Sequence, residues 1–272
     1  MSPTESGTAR VTVPGFMARK GKGSPIVVLT SYDASSALAA EEAGVDCLLV
    51  GDSLGMVVLG YDTTLKVTMD EMLPHARAVG RVRRRALLVA DMPWLSFHLG
   101  AEEAVRNAAR FVREAGADAV KIEGGRQRLP AIRAILDAEI PVMGHLGLTP
   151  QSVLRFGGYK VQAREAAAAG ALIEDARALA EAGVFSLVLE GSPSDLAARV
   201  TDDVRVPTIG IGAGRGCDGQ VLVFHDLLGM LPGPVPKFVR RYAGVHEVQV
   251  EAILKWAEDV RHGEYPSDAE AY

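Results

Sequence analysis

An α/β fold closed into a (β/α)8 barrel, the TIM-barrel architecture, is the class this sequence predicts, and three observations predict it. Eight short segments rich in Val, Ile and Leu recur along the chain, each bounded by Gly, Asp or Pro, as buried parallel strands are. The amphipathic stretches between them end repeatedly on a glycine just before the next apolar segment. The length, 272 residues, is close to what one such barrel takes.

The strands are expected at 26–30, 47–52, 86–91, 117–123, 140–145, 185–190, 206–211 and 220–225. The clearest helix is 101–115, where Ala101, Ala104, Val105, Ala108, Phe111, Val112 and Ala115 mark one face before Gly116. Leu172, Ile173, Ala176, Leu179 and Ala180 do the same before Gly183, and the stretch 34–43 ends at Gly44. Such alternation leaves a closed barrel or an open doubly wound sheet, and eight regular units favour the barrel. The turn after the first strand reads Thr30-Ser31-Tyr32-Asp33, which lacks the glycine-rich phosphate loop of a dinucleotide fold. Residues 1–24 read as an N-terminal extension and 25–272 as the catalytic barrel with a C-terminal helix. That helix, amphipathic over 248–260, either joins copies of the chain or covers its own barrel.

The formal charge is −5 and no long Lys/Arg block occurs, which argues against a nucleic-acid surface. Arg81, Arg83, Arg84 and Arg85 form a short basic cluster that reads as a solvated helix end. Cys47 and Cys217 are too few for a disulfide framework and have no zinc-ligand spacing, so a reducing cytoplasm is expected. No signal-peptide core or membrane-length apolar run is present, so no membrane association is expected.

Five expected strands finish in ionisable residues: Asp52 on the second, Asp91 on the third, Lys121 with Glu123 on the fourth, His145 on the fifth and Glu190 on the sixth. All C-terminal strand ends of a barrel face one mouth, where active sites of this fold sit. Lys121 and Glu123, two apart, share one strand face. Any one of these acids alone reads as a helix cap or a surface residue. Four carboxylates in one cavity would repel one another and resist burial, and a divalent cation is the simplest counter-charge. Oxygen ligands without Cys point to a hard ion, Mg2+ first. His75, His98, His246 and His262 stand in helix or loop contexts and read as surface or satisfied residues, while His225 ends the last expected strand and reads mainly as structural. Gly210-Ile211-Gly212-Ala213-Gly214 fits either backbone binding of phosphate or close loop packing.

Read with their neighbours, these strand ends resemble the ketopantoate hydroxymethyltransferase family. The likeness runs through Leu29-Thr30-Ser31-Tyr32-Asp33, Val50-Gly51-Asp52-Ser53-Leu54-Gly55-Met56, Ala90-Asp91-Met92-Pro93 and Val120-Lys121-Ile122-Glu123-Gly124-Gly125. It continues through the block from Gly144 to Ser152, Phe156-Gly157-Gly158-Tyr159-Lys160-Val161-Gln162, Leu187-Val188-Leu189-Glu190 and Ile209 to Gly214. These blocks span about residues 25 to 265 and leave the first 20 or so outside. Trp94 stands where the family often has Phe.

The resemblance implies that Asp52, Asp91 and Glu123 bind one Mg2+ per subunit, with Mn2+ and Co2+ open as alternatives. It implies that Asp52, Ser53, Asp91, Lys121 and His145 contact the oxo acid and that Glu190 accepts the proton. The implied reaction joins 3-methyl-2-oxobutanoate to the methylene group of 5,10-methylenetetrahydrofolate, giving 2-dehydropantoate for pantothenate synthesis. A ring-like homo-oligomer, a decamer, is implied as well. No residue announces a folate pocket. Three readings compete: a metal-dependent lyase or mutase of the phosphoenolpyruvate mutase or isocitrate lyase type, a Schiff-base aldolase using Lys121, and a non-catalytic scaffold.

Overall fold

In the computed structural model, residues 9–158, 162–163 and 165–272 are described. They fall into two compact units, Met1–Val223 and Phe224–Tyr272. The first holds eight strands: β1 (Ile26–Thr30), β2 (Cys47–Val50), β3 (Leu87–Asp91), β4 (Ala119–Glu123), β5 (Val142–Gly147), β6 (Ser186–Glu190), β7 (Thr208–Ile211) and β8 (Gly219–Leu222). Each pairs in parallel with the next, and β8 pairs with β1, so the sheet is closed in sequence order. The open doubly wound alternative is thereby excluded.

Side chains alternate in and out along each strand. Inward-facing Ile26, Val28, Cys47, Leu49, Leu87, Val89, Ala119, Met143, Val188, Ile209 and Val221 belong to one buried apolar cluster. The residues between them, among them Leu48, Leu88, Val120, Ile122 and Leu187, are equally buried on the outer face under the helices. Following the two-residue period up from the cluster, Val89 leads to Asp91, Ala119 to Lys121 and then Glu123, Met143 to His145, and Val188 to Glu190. The apolar floor thus gives way to an ionisable layer on the same inward face.

The helix Ala101–Ala115 has the expected bounds and is stopped by Gly116 in the left-handed region. The extension is more than a leader to the barrel. Its helix Val13–Met17 is N-capped by Thr12 and places Phe16 in the apolar cluster, edge-on to Phe185 at 5.7 Å. Val11 and Val13 pack against the same cluster, so the extension contributes to the barrel's apolar interior.

Three expectations are corrected. The second strand ends at Val50, so Asp52 lies just beyond it in the loop. The last strand stops at Leu222, and His225 lies in the helix Phe224–Leu228. A short apolar run does not by itself distinguish strand from helix. The basic cluster is not wholly solvated: the Arg83 side chain is 8% exposed and pairs with Asp118. Arg85 donates to the carbonyls of Gly44 and Val45. These arginines tie loop carbonyls and an acid at the lower strand ends, a role that charge pattern alone does not show.

The second unit contains the helix Val245–His262, longer at both ends than expected, with no buried residue. Among the described residues, no helix is long and apolar enough to cross a membrane.

Candidate active site at the C-terminal mouth of the barrel

Strand register brings the ionisable layer together. Asp91 pairs with Lys121 across β3 and β4, and Lys121 Nζ lies 2.8 Å from Asp91 Oδ1. Glu123 pairs with His145 across β4 and β5, with Nδ1 3.4 Å from Oε1. His145 Nδ1 is also 3.0 Å from Lys121 Nζ, while its Nε2 is 3.2 Å from Glu190 Oε2. The imidazole therefore stands between the two glutamates and beside the ammonium.

Asp52 joins this row from the loop after β2. Its backbone N–H donates to Asp91 Oδ2 at 3.0 Å, and its Oδ2 accepts from Gln151 Nε2 at 2.8 Å. The close approach depends on Gly51, where a Cβ would stand 2.8 Å from Ser53 Oγ and 3.4 Å from Asp91 Oδ2. Ser53 Oγ is held 2.8 Å from the hydroxyl of buried Tyr32. At the far side, Gly147 has a φ of +91° and a Cβ there would meet the Glu190 carbonyl oxygen at 2.2 Å. Glycine is what lets β5 and β6 run this close at the mouth.

Asp52, Asp91, Lys121, Glu123, His145 and Glu190 are thus in one contact network, with Ser53 at its edge. Asp52, Asp91, Lys121, Glu123 and His145 are all buried. Glu190 is the more open end, its side chain 15% exposed. Tyr32, Gly51, Gly147 and Gln151 also build the site, although sequence reasoning assigned them no role. Their signal was position within the family-like blocks, not charge.

Burial and neighbouring charges shift the carboxyls of the site in both directions. Burial pushes Asp52 well above the ordinary carboxylate range, and repulsion from Asp91 and Glu123 adds to this. Burial also raises Asp91, even against the opposing pull of Lys121. Burial alone would raise Glu123, but His145 and Lys121 outweigh it and hold that carboxyl below its usual value. Lys121 would be lowered by burial, yet Asp91, Glu123 and Asp52 together lift it above the ordinary lysine range. Burial and Lys121 lower His145, while Glu123 and Glu190 raise it to about 8.

Four carboxylates therefore face one ammonium and one imidazole, an excess of negative charge even with the imidazole protonated. The hard oxygen donors and the mutual repulsion of Asp52, Asp91 and Glu123 fit a divalent cation such as Mg2+. Among the described residues no three His, Cys, Asp or Glu side chains form a ready-made ligand cluster; the acids are held by Lys121 and Gln151 instead. Chemistry and charge balance favour the cation more strongly than side-chain placement does.

The remaining predicted positions play other parts. His75 Nδ1 lies 2.6 Å from the Tyr32 carbonyl oxygen, a satisfied histidine. His98 packs on Phe97, and burial followed by Arg128 lowers it to about 4. Within the glycine string after β7, a Cβ at Gly214 would meet Ser194 Cβ at 2.4 Å, so close packing accounts for that glycine. Tyr159, Lys160 and Val161 lie outside the described residues.

A closed parallel barrel with a buried cluster of acids, a lysine and a histidine at its C-terminal mouth defines a barrel enzyme acting on a small ionisable molecule. A family model described as ketopantoate hydroxymethyltransferase matches residues 10–268. The 3-methyl-2-oxobutanoate hydroxymethyltransferase of Koribacter versatilis is 56% identical, over 97% of this chain and 90% of that protein. The one from Syntrophomonas wolfei is 54% identical, over 97% and 96%. The chain belongs to the ketopantoate hydroxymethyltransferase family. The family match begins at residue 10, so it takes in the helix carrying Phe16, which the sequence blocks left outside.

Among solved structures, 2,3-dimethylmalate lyase of the PEP mutase/isocitrate lyase superfamily aligns with a TM-score of 0.59 at 17% identity, covering 96% of this chain and 91% of that one. Phosphonopyruvate hydrolase aligns with a TM-score of 0.61 at 15% identity, covering 96% and 92%. These share the fold. The close sequence relatives are hydroxymethyltransferases, and the likeness to these lyase and hydrolase structures is one of fold alone.

Proposed function

We propose that this chain transfers a hydroxymethyl group from 5,10-methylenetetrahydrofolate to 3-methyl-2-oxobutanoate, giving 2-dehydropantoate, with Asp52, Asp91 and Glu123 as the acids that hold Mg2+. The observation that supports the reading is the row from Asp91 through Lys121 and His145 to Glu190, in which carboxylates, an ammonium and an imidazole share one inward face. A bound divalent cation supplies Lewis-acid polarisation of the keto oxygen.

The chain's own residues do the rest. Glu190, the more exposed carboxylate of the row, takes the proton from the carbon beside the ketone. His145, with Nε2 3.2 Å from Glu190 Oε2, orients that carboxylate and shares the charge change when it is protonated. The Lys121 ammonium stabilises negative charge as it develops on the oxo acid, where a fixed charge in a dry site acts most strongly. Ser53, held by Tyr32, donates to the substrate carboxylate. Overall the transfer consumes one water: the folate methylene carbon gives up both of its bonds to nitrogen, forms the new bond to C3 of the oxo acid and takes its hydroxyl from water, while the proton removed by Glu190 and the second hydrogen of that water end on the two folate nitrogens.

Lys121 acts as a charge and not as a nucleophile. An ammonium paired with Asp91 and raised above the ordinary range is not the free amine that a Schiff base requires. Borohydride should trap no substrate on the protein, and a substrate-sized mass on the Lys121 peptide would reverse this assignment. The reading as a whole is tested by folate-dependent formation of 2-dehydropantoate. Wild-type protein with Mg2+ should also exchange the C3 hydrogen of the oxo acid with D2O when folate is omitted. Exchange without product in the full assay would retain the base and refute the folate donor.

A further inference from the structure

Gln151 lies on the turn Pro150–Ser152 after β5 and is buried with the acids. Its side-chain nitrogen donates to Asp52 Oδ2 at 2.8 Å and to the Met92 carbonyl at 3.0 Å. Its backbone N–H donates to Glu123 Oε2 at 2.9 Å. These acceptors fix which way the amide faces, because the reversed amide would set its oxygen against a carboxylate and a carbonyl. The atom left over is Oε1, buried and without a donor among the described residues.

One residue therefore grips Asp52 from the loop after β2, Glu123 from the end of β4, and the backbone directly after Asp91. Two buried carboxylates repel each other, and among the described residues no other is hydrogen-bonded to both. Gln151 engages one oxygen of each acid; the other oxygen of Glu123 lies 3.4 Å from His145 Nδ1, and Asp52 Oδ1 is the one turned from Gln151.

From this geometry we infer that Gln151 is the positioning residue of the cation site: it holds Asp52 and Glu123 in ligating orientation, and its own amide oxygen is completed by a hydrogen-bond donor that arrives with the bound ligand. The inference rests on the proposed role of these acids in holding the metal. Groups that orient metal ligands in this way typically govern affinity by about 10- to 100-fold.

The test uses the full chain and Mn2+ alone as probe, with free Mn2+ read by electron paramagnetic resonance and no substrate present. Gln151→Met keeps the length and removes both the donor and the acceptor. Gln151→Asn keeps the amide on a shorter stem that does not reach Asp52, and it serves if the Met variant fails to fold. Both should bind Mn2+ about 10- to 100-fold more weakly than wild type. Their melting temperatures in EDTA report any separate loss of packing. Wild-type Mn2+ affinity in the folded variants, with only a lowered melting temperature, would make Gln151 a packing residue and overturn the inference. If wild-type protein itself binds no Mn2+, the metal site falls and this inference falls with it.

Discussion

At the lower ends of β2, β4 and β8 stand Asp46, Asp118 and Asp218; at the upper ends of β2, β3 and β4 stand Asp52, Asp91 and Glu123. Each lower acid accepts from the first backbone N–H groups of a neighbouring strand: Asp46 from Val27, Asp118 from Leu88, and Asp218 from Thr208. Each also takes a basic side chain, Arg19, Arg83 and Lys20 respectively. For Asp218, burial raises the carboxyl but is outweighed by Lys20 and the backbone donors of Thr208 and Gly21, which hold it below the ordinary range. The upper acids share one lysine, and burial with mutual repulsion pushes Asp52 and Asp91 upward. Acidic side chains thus tie strand ends together at one end and crowd around a single lysine at the other, where we propose that they hold a cation. Conserving stability and hosting chemistry are separate tasks at opposite faces of this fold.

The largest expected break in that comparison comes at the upper end. Glu190→Gln keeps size and hydrogen bonding but accepts no proton, so kcat and C3 exchange should fall together by about 10²-fold or more. The melting temperature should stay near wild type. If the variant exchanges at the wild-type rate yet makes no product, Glu190 serves the folate half of the reaction, and His145 becomes the first candidate base.

At the lower end the order of effects reverses. Phe16→Ala removes a fully buried ring from the apolar cluster and should cost about 3–5 kcal/mol of stability. Turnover per folded molecule should be unchanged below the melting transition. Denaturant unfolding checks it, and a loss well under 1 kcal/mol would mean that the cluster closes without the extension.

Asp218→Asn should act in the same sense but less, by about 1–3 kcal/mol, since backbone donors lose a charged acceptor. The pH dependence carries a sign. A carboxyl depressed by folding contributes stability that is present above the unfolded value of about 3.9 and is lost as pH falls through the lower folded value. The variant should therefore lose its deficit relative to wild type in strong acid. A deficit that persists there would point to packing instead of charge.

Much of this contrast was legible in the sequence, and the boundary of legibility is physical. Strand ends rich in Asp, Glu, Lys and His announced the upper face, because burying such residues at the end of an apolar segment is costly without a reason. The period of two placed Lys121 and Glu123 on one face, and the register bears that out. The lower acids were not distinguished, because an acid before a strand looks the same whether solvated or bonded to a neighbour's N–H. Phe16 was missed because one aromatic residue in a short segment before the first strand has no periodicity. Gln151 was missed because a neutral amide shows its importance only through the atoms it touches. His225 was misplaced because the run ending β8 passes into a helix without a breaker.

The proposed reading requires that Asp52 and Asp91 be held at a cost in stability for the sake of a cation, and Asp52→Asn tests it most directly. Asp52 has a folded value above its unfolded one, so charging it on the way to neutral pH destabilises the metal-free protein. Melting is measured at pH 7 in EDTA and again in excess Mg2+ with 3-methyl-2-oxobutanoate, for wild type and variant. The variant should melt higher than wild type in EDTA, by about 2–4 °C if about 1 kcal/mol of repulsion is relieved. The rise produced by Mg2+ and oxo acid in wild type should be largely lost in the variant. A variant that melts lower in EDTA and keeps the full ligand-induced rise would contradict the proposed reading.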